Sequence, residues 1–253
     1  MEIKIKNNSV FKDAINAINE LVDEGKLKFT KDGLNIKETD PTMISMIDFN
    51  FGKENFEKYD IADEQEIPIS FSQLNLILKR MSANDKLFIK NEKDKNYLEL
   101  TINKENSKKF SIPVLDLEDK KLPDINLEFK AIIEINKTIL TESILDAVVI
   151  GETLVFAADK NKLSFFCSED MNKLEIDLDK KDKNVFSFEF KEDKLDTIKS
   201  KYSLEYLKKI EKAGKISDIV KLELGNDYPI RITYSNKEKN ISISYVLAPR
   251  VED

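Results

Sequence analysis

An internal repeat restricts the fold of this chain more than any other feature of its sequence. Residues 71–102 read as a helix followed by two strands, and residues 202–234 repeat that order. Earlier in each half, residues 11–22 and 138–149 have the apolar spacing of an amphipathic helix, and an alternating hairpin follows each of them. A period of about 130 residues is too long for a solenoid and suits a duplicated domain.

Each half therefore contains two short helices among many strands, an α+β arrangement with the helices on one face of antiparallel sheets. The helices are expected to bury four apolar stripes: Phe11, Ile15, Ile18 and Val22; Leu74, Ile77, Leu78 and Met81; Ile144 and Val148; and Leu204, Leu207 and Ile210. We predict two similar domains, residues 1–115 and 130–253, joined by a connecting segment at residues 116–129.

The composition argues against most enzyme chemistries. The chain has no histidine, which is the commonest general base, the usual partner of a serine or cysteine nucleophile and the commonest zinc ligand. It has only 6 glycines and no glycine-rich phosphate loop. Cys167, the single cysteine, is expected to be a small buried apolar group. We predict no catalytic residue, no cofactor and no metal site.

Two carboxylate pairs keep one enzymatic alternative open. Asp116 with Glu118, and Asp177 with Asp179, have strand spacing, so the members of each pair point to the same face. Such a pair could hold magnesium in a metal-dependent phosphohydrolase. Solvated strand edges in an acidic chain produce the same pattern, and we favour that interpretation.

The charged residues exclude indiscriminate coating of nucleic acid. Lys and Arg number 41 against 48 Asp and Glu, which gives a net charge of −7. A locally basic surface is still possible, because lysines cluster at the outward positions of the second and fourth helices. The chain starts directly as an alternating strand and has no apolar run of membrane-spanning length, so we expect a cytoplasmic protein without membrane contact.

Two strands have the chemistry of sheet edges. The segment 109–115 alternates but contains Pro113, which confines it to an edge or an end of a sheet. The segment 173–179 is the edge candidate in the second half. Both could be ordinary edges, blunted by lysine and aspartate.

Apolar residues are left over in two further places. Residues 241–245 alternate, but residues 246–249 break the period and cannot all face one core. The connecting segment is charged, yet it also carries Leu122, Ile125, Leu127 and Phe129. Exposed apolar surface of this kind marks a binding site. The alternative is that these residues pin the connector onto the sheet, and for Phe129 the two interpretations are equally good.

Several motifs resemble the sliding clamps of the proliferating cell nuclear antigen family, and archaeal members in particular. They are Phe29-Thr-Lys-Asp-Gly-Leu, Thr39-Asp40, Leu115-Asp-Leu-Glu, Asp227-Tyr-Pro-Ile and, most specific, Tyr245-Val-Leu-Ala-Pro-Arg-Val-Glu-Asp. The resemblance covers both halves. It implies three subunits closed head to tail into a ring of six similar domains, with the helices lining a hole that holds double-stranded DNA.

The resemblance also implies partners. A homotrimeric, nucleoid-associated clamp would tether DNA polymerase, a flap endonuclease and DNA ligase, and an ATP-driven clamp loader would open it. These proteins would bind through a short motif of a glutamine, an aliphatic residue and two aromatic residues. A subunit of a heterotrimeric clamp is the alternative within the family.

Site residues follow from the same resemblance. The expected DNA contacts are Lys12, Lys79, Arg80, Lys208, Lys209, Lys212 and Lys215. The expected subunit contacts join Phe110 and Ile112 of one edge to Leu174, Ile176 and Leu178 of the other. The partner pocket is expected to include Met43, Ile44, Leu122, Pro123, Ile125, Pro229, Leu247, Ala248 and Pro249. Glu142 and Asp146 depart from the family pattern, since a clamp often has basic residues on its third helix.

Overall fold

The computed structural model describes residues 1–82, 84–92, 95–103, 106–118 and 126–250, which form four α-helices and eighteen β-strands. The chain divides into two compact units. The first unit contains Met1–Pro41, Ile47–Leu122 and Asn236–Ile243. The second contains Thr42–Met46, Pro123–Ser235 and Ser244–Asp253.

The first unit is built from two helices and two antiparallel sets of strands. Its elements are β1 (Glu2–Ile5), α1 (Asn8–Asn19), β2 (Glu24–Thr30), β3 (Gly33–Thr39), β4 (Ser45–Gly52), β5 (Phe56–Asp60), β6 (Gln65–Ser70), α2 (Phe71–Lys79), β7 (Lys86–Lys90), β8 (Tyr97–Asn103) and β9 (Lys108–Pro113). One sheet has the order β5-β1-β7-β8-β9, and in the other β4, β3, β2 and β6 are adjacent in that order.

Local sequence explains the helices of this unit. The side chains of Phe11, Ile15 and Ile18 recur at helical spacing on α1, and all three are fully buried. Ser70 caps α2, because its hydroxyl accepts the backbone N–H of Gln73 at 3.2 Å. The two helices pack against each other. Each apolar side chain buried in this way stabilises the fold by about 1.5–3 kcal/mol.

The second unit repeats the arrangement. Its elements are β10 (Ala131–Asn136), α3 (Lys137–Ile150), β11 (Thr153–Asp159), β12 (Lys162–Glu169), β13 (Asn172–Asp179), β14 (Val185–Phe190), β15 (Thr197–Ser203), α4 (Leu204–Ile210), β16 (Ile219–Leu224), β17 (Ile230–Asn236) and the second half of β18 (Ile241–Leu247), from Ser244 onward. One sheet has the order β13-β12-β11-β15, and in the other β14, β10, β16 and β17 are adjacent. A 3-10 turn, Glu211–Lys215, extends α4.

The predicted duplication is confirmed down to an irregularity in strand pairing. Both units follow the order strand, helix, five strands, helix, three strands. In the first unit the β1–β5 register shifts between Lys4 and Ile5. In the second unit the β10–β14 register shifts at the equivalent place, between Glu134 and Ile135. A bulge at matching positions is expected when both halves keep the geometry of one ancestral domain.

One of the predicted apolar stripes is partly wrong. Val148 is exposed, whereas α3 buries Leu140, Ser143, Ile144 and Ala147. Ile144 lies at the edge of this buried arc. Val148, about 40° further around the helix, therefore points away from the sheet.

The prediction for the C-terminal strand also needs correction. β18 continues to Leu247, and both Val246 and Leu247 are buried, Leu247 completely. Two consecutive buried residues mean that both faces of the strand end are covered, so less apolar surface is left over than the alternation predicts. Cys167 is buried as expected, and burial raises the pKa of its thiol.

Candidate functional site

A strained loop and the C-terminal tail meet at the surface of the second unit. Met43 has a left-handed backbone (φ 58°) and its side chain is 69% exposed, and Ile44 beside it is 39% exposed. The carbonyl oxygen of Ile44 accepts the backbone N–H of Ala248 at 3.0 Å. A left-handed methionine costs backbone free energy, and such strain concentrates at binding sites.

The C-terminal tail, residues 248–250, also forms a hydrogen bond with the edge strand β15. The backbone N–H of Arg250 donates to the carbonyl oxygen of Lys201 at 2.7 Å. The guanidinium of Arg250 lies 3.8 Å from the carboxylate of Glu152. Ala248 and Pro249 remain half-buried between these anchors.

The turn at Tyr228 is hydrogen-bonded to Ser200, the residue before Lys201 on β15. The backbone N–H of Tyr228 donates to the hydroxyl of Ser200 at 2.9 Å, and its carbonyl accepts the hydroxyl of Tyr202 at 2.7 Å. Burial raises the pKa of Tyr202, so this hydroxyl stays a donor. Because Ser200 and Lys201 are consecutive, the Tyr228 turn and the tail are neighbours along β15.

Phe129, the end of the predicted connector, packs onto the same turn. Its ring meets the Tyr228 ring edge to face at 6.0 Å, and the Arg231 guanidinium lies 4.9 Å from its centroid. These contacts support the interpretation in which Phe129 pins the chain to the sheet. Tyr228 and Arg231 were missed by sequence reasoning. The Asp-Tyr-Pro turn was the available signal, but it does not reveal a partner so far away in the sequence.

The structure places the predicted pocket residues in three groups. Met43, Ile44, Pro229, Ala248 and Pro249 lie at the surface of the second unit. Leu247 is fully buried, so it supports the tail from the core and does not present apolar surface. Leu122, Pro123 and Ile125 lie outside the described residues.

Both predicted edge strands are edges. β9 ends the sheet β5-β1-β7-β8-β9, and β13 ends the sheet β13-β12-β11-β15. Ile112 and Leu178 are buried in their own units. Phe110, Leu174 and Ile176 are half-buried, which leaves part of each side chain available for a contact.

The two edges carry opposite charge. β9 exposes Lys108 and Lys109, whereas β13 exposes three carboxylates, Glu175, Asp177 and Asp179, and one lysine, Lys173. Asp177 is hydrogen-bonded within its own sheet. Its carboxylate accepts one hydrogen bond from Lys162 Nζ at 2.6 Å and another from the Ser164 hydroxyl at 2.5 Å. Lys162, followed by Ser164, lowers the pKa of Asp177. These contacts give this member of the Asp177/Asp179 pair a structural role.

The basic residues of the helices differ in exposure and in whether they form hydrogen bonds or ion pairs within the protein. Lys79 and Arg80, at the end of α2, are exposed and have no carboxylate partner among the described residues. Lys12 is half-buried and donates to the carbonyl oxygen of Met81 at 3.2 Å. A cation at a helix C-terminus, such as Lys79 or Arg80, also complements the helix dipole.

The lysines of α4 and the following turn show the same division. Lys208 is exposed and has no carboxylate partner among the residues that the structure describes. Lys209 lies 2.9 Å from Glu205 and 5.4 Å from the centre of the Tyr206 ring. Lys212 is 3.6 Å from Glu211, and Lys215 is exposed.

Two kinds of feature are absent from the described ranges. No group of three or more Cys, Asp or Glu side chains is placed to hold a metal ion there. None of the helices in those ranges combines the length and the apolar character that a membrane span needs.

Comparisons with known proteins agree over the whole chain. Residues 1–131 match the family model for the N-terminal domain of proliferating cell nuclear antigen, and residues 121–250 match that for the C-terminal domain. The chain is 30% identical over 252 residues to DNA polymerase sliding clamp 1 of Thermococcus kodakarensis, covering 100% of this chain and 99% of that protein. It is 29% identical to the DNA polymerase sliding clamp of Nanoarchaeum equitans, covering 99% of each.

Solved structures show the same fold. Proliferating cell nuclear antigen from Thermococcus kodakaraensis superposes with a TM-score of 0.89 at 22% identity, covering 98% of this chain and 99% of that one. A chain of the PCNA2–PCNA3 complex from Sulfolobus tokodaii gives a TM-score of 0.89 at 25% identity, covering 100% of both. The two family models together span residues 1–250, and with a full-length relative at 30% identity they show that this chain belongs to the proliferating cell nuclear antigen family of sliding clamps.

Proposed function

We propose that this chain forms a homotrimeric ring that encircles duplex DNA and tethers a replicative DNA polymerase as a processivity factor. One observation carries the proposal: relatives matched along the whole chain are named DNA polymerase sliding clamps. Clamps of this kind are non-catalytic, so we assign no catalytic residue. We also retain 1–115, 116–129 and 130–253 as the proposed domains and connector.

The edge strands support closure into a ring. β9 and β13 each have a free side, and their exposed charges are opposite. Pairing β9 of one copy with β13 of the next would satisfy both edges and join Phe110 to Leu174 and Ile176. A head-to-tail contact that closes leaves neither of these two edges available for aggregation.

The lysines of the helices support weak contacts with DNA phosphates. Contacts to phosphate position a protein on DNA without reading sequence, and they weaken as salt increases. Lys79, Arg80 and Lys208 are the foremost candidates because no carboxylate among the described residues holds them. Lys12, Lys209, Lys212 and Lys215 remain proposed contacts of second rank.

The surface around Met43 supports a partner pocket. Met43, Ile44, Pro229, Ala248 and Pro249 are apolar residues at the surface, on a backbone fixed by hydrogen bonds to the tail and to β15. We propose that polymerase, flap endonuclease, DNA ligase and the clamp loader bind here through the short glutamine, aliphatic and aromatic motif. An apolar pocket on a rigid backbone suits a short helical turn carrying large side chains.

Light scattering across a concentration series tests the assembly. A homotrimer has a mass of 3 × 29.2 = 87.6 kDa. The Sulfolobus tokodaii complex of two different clamp chains favours a second candidate, a heterotrimer. A monomer or dimer that reaches trimer mass only when another clamp chain is added would establish the heterotrimer and contradict our proposal.

A further inference from the structure

The exposed face of α3 differs in chemistry from the helix packed beside it. Glu142 and Asp146 are exposed on α3, and neither carboxylate has a cationic partner among the described residues. Between them and beyond them, Leu145 is 51% exposed and Val149 is 83% exposed. The exposed surface of this helix is therefore acidic and apolar.

The single cation of α3 is already engaged. Lys137 lies at the first residue of the helix, and its Nζ is 3.1 Å from the Asp218 carboxylate and 2.7 Å from the carbonyl oxygen of Gly214. The adjacent α4 and its 3-10 turn present Lys208, Lys212 and Lys215. In this unit an anionic strip thus lies beside a cationic strip.

The first unit shows a weaker form of the same division. α1 carries one lysine and one aspartate, Lys12 and Asp13, and Lys12 is bonded to the backbone of Met81. The cations Lys79 and Arg80 lie at the end of α2. In both units, therefore, the exposed cations lie on or beside the second helix, whereas the lysine of the first helix is half-buried.

We infer that the exposed face of α3 repels DNA phosphates and thereby limits the grip of the ring on DNA. This inference rests on the proposed function, because only a ring around DNA brings phosphates to this face. A face without free cations releases no counterions on binding, so it adds nothing to affinity. Its carboxylates act on phosphates within a Debye length of about 8 Å at physiological salt. Phosphates are then confined to the ends of α2 and α4, which keeps static affinity low and favours sliding.

Two variants of α3 separate repulsion from attraction. Glu142→Gln with Asp146→Asn removes the negative charges and adds no cation. We expect tighter binding to a short fluorescent duplex, with the largest gain at low salt, because salt screens the repulsion that these substitutions remove. Glu142→Lys with Asp146→Lys adds cations, so the slope of log K against log salt should steepen by up to about 0.9 for each new phosphate contact. Fluorescence anisotropy between about 50 and 200 mM NaCl measures both quantities.

A control places the same charge change on another surface, where Glu189 is paired with Lys191 Nζ at 3.1 Å. Glu134 and Glu189 share one face of the sheet. Ile132 and Glu134 are two residues apart on β10, so both point away from the face of the buried Ile133, and Glu189 of β14 pairs with Ile132. Glu134→Lys with Glu189→Lys should leave the slope unchanged. An equal effect of the two lysine pairs would overturn the inference, since the response would then be independent of the face.

A further variant distinguishes failure of this inference from failure of the proposed function. Lys208→Ala with Lys212→Ala should weaken duplex binding if DNA passes along the helices. If this variant weakens binding while both α3 variants match the wild type, the inference is wrong and the clamp proposal stands. If Lys208→Ala with Lys212→Ala has no effect, the proposed DNA contacts are wrong, and the inference fails with them.

Discussion

At the scale of single residues, Met43 is the foremost candidate for the proposed partner pocket. Its left-handed backbone is unfavourable for a side chain that is not glycine, asparagine or aspartate, and its apolar side chain points to solvent. Neither feature helps the isolated chain to fold. Both make sense if the side chain is buried when a partner binds.

We therefore predict that Met43→Ser weakens binding of a peptide with the glutamine, aliphatic and aromatic motif by about tenfold, which corresponds to ~1.4 kcal/mol. Isothermal titration with the assembled protein measures the effect. Met171→Ser is a matched control, because Met171 is 93% exposed at the turn between β12 and β13. Equal affinities of the two variants would remove Met43 from the pocket. Leu247→Ser is unsuitable for this test, since it would disturb a fully buried core position.

Gly33 illustrates a residue fixed by backbone geometry. Its φ of 137° lies in the region that favours glycine, and a Cβ there would lie 2.9 Å from the backbone nitrogen of Lys53 and clash with the carbonyl oxygen of Phe51. The hydroxyl of Tyr59 also donates to the carbonyl of Gly33 at 2.8 Å. The turn between β2 and β3 thus has little freedom to relax.

Gly33→Ala is predicted to reduce the free energy of unfolding by roughly 1–3 kcal/mol, because strain and overlap add. Denaturant titration measures the loss. Gly214→Ala serves as the control, since a Cβ at Gly214 would lie 3.5 Å from Lys137 Cδ and 3.6 Å from the Tyr234 ring, which are ordinary contacts. A Gly33→Ala variant as stable as Gly214→Ala would contradict the prediction.

At the scale of elements, β9 and β13 are two sheet-end strands that expose opposite net charge. β9 presents Lys108 and Lys109, and β13 presents Glu175 and Asp179. Complementary charge on two edges of one chain favours contact between identical copies. It would be no advantage if each edge met a different partner chain.

Reversing one edge should break the ring. Lys108→Glu with Lys109→Glu places like charges across the proposed contact, which costs several kcal/mol, and the mass should fall from trimer to monomer. Adding Glu175→Lys and Asp179→Lys to the same chain restores opposite charges and should restore the trimer. Light scattering reads out both variants. A trimer that survives the first reversal would show that these edges do not form the contact.

At the scale of the whole molecule, binding by encirclement depends on topology more than on affinity. The chain is acidic overall, with a net charge of −7, and its unengaged helix cations are few. Such a protein should bind linear duplex DNA weakly, and its affinity should fall as the salt concentration increases. A closed ring on circular DNA has no end from which to escape.

The corresponding prediction concerns DNA topology. Protein assembled by a clamp loader on nicked circular DNA should remain bound in salt that abolishes binding to linear duplex. Cutting the circle with a restriction enzyme should release it, as gel filtration of the labelled protein would show. Retention on the cut DNA would mean that contacts, and not encirclement, hold the protein.

The sequence by itself determined the architecture of this protein. Periods of 2 and 3.6 residues are local properties, so alternation and helical stripes reveal strands and helices, and their recurrence reveals two similar domains. Pro113 marked β9 as an edge because proline lacks the N–H that a central strand must donate. The motifs from Phe29 to the C-terminus were enough to identify the family.

Only the tertiary structure decided which of these side chains are available at the surface. Burial and ion pairing depend on atoms from distant parts of the sequence, as in the bond between Ile44 and Ala248. Periodicity therefore could not show that Leu247 is buried, that Val148 is exposed, or that Lys137 is held by Asp218. A sequence pattern fixes the direction in which a side chain points along its own element, whereas the packing of other elements fixes what it meets there.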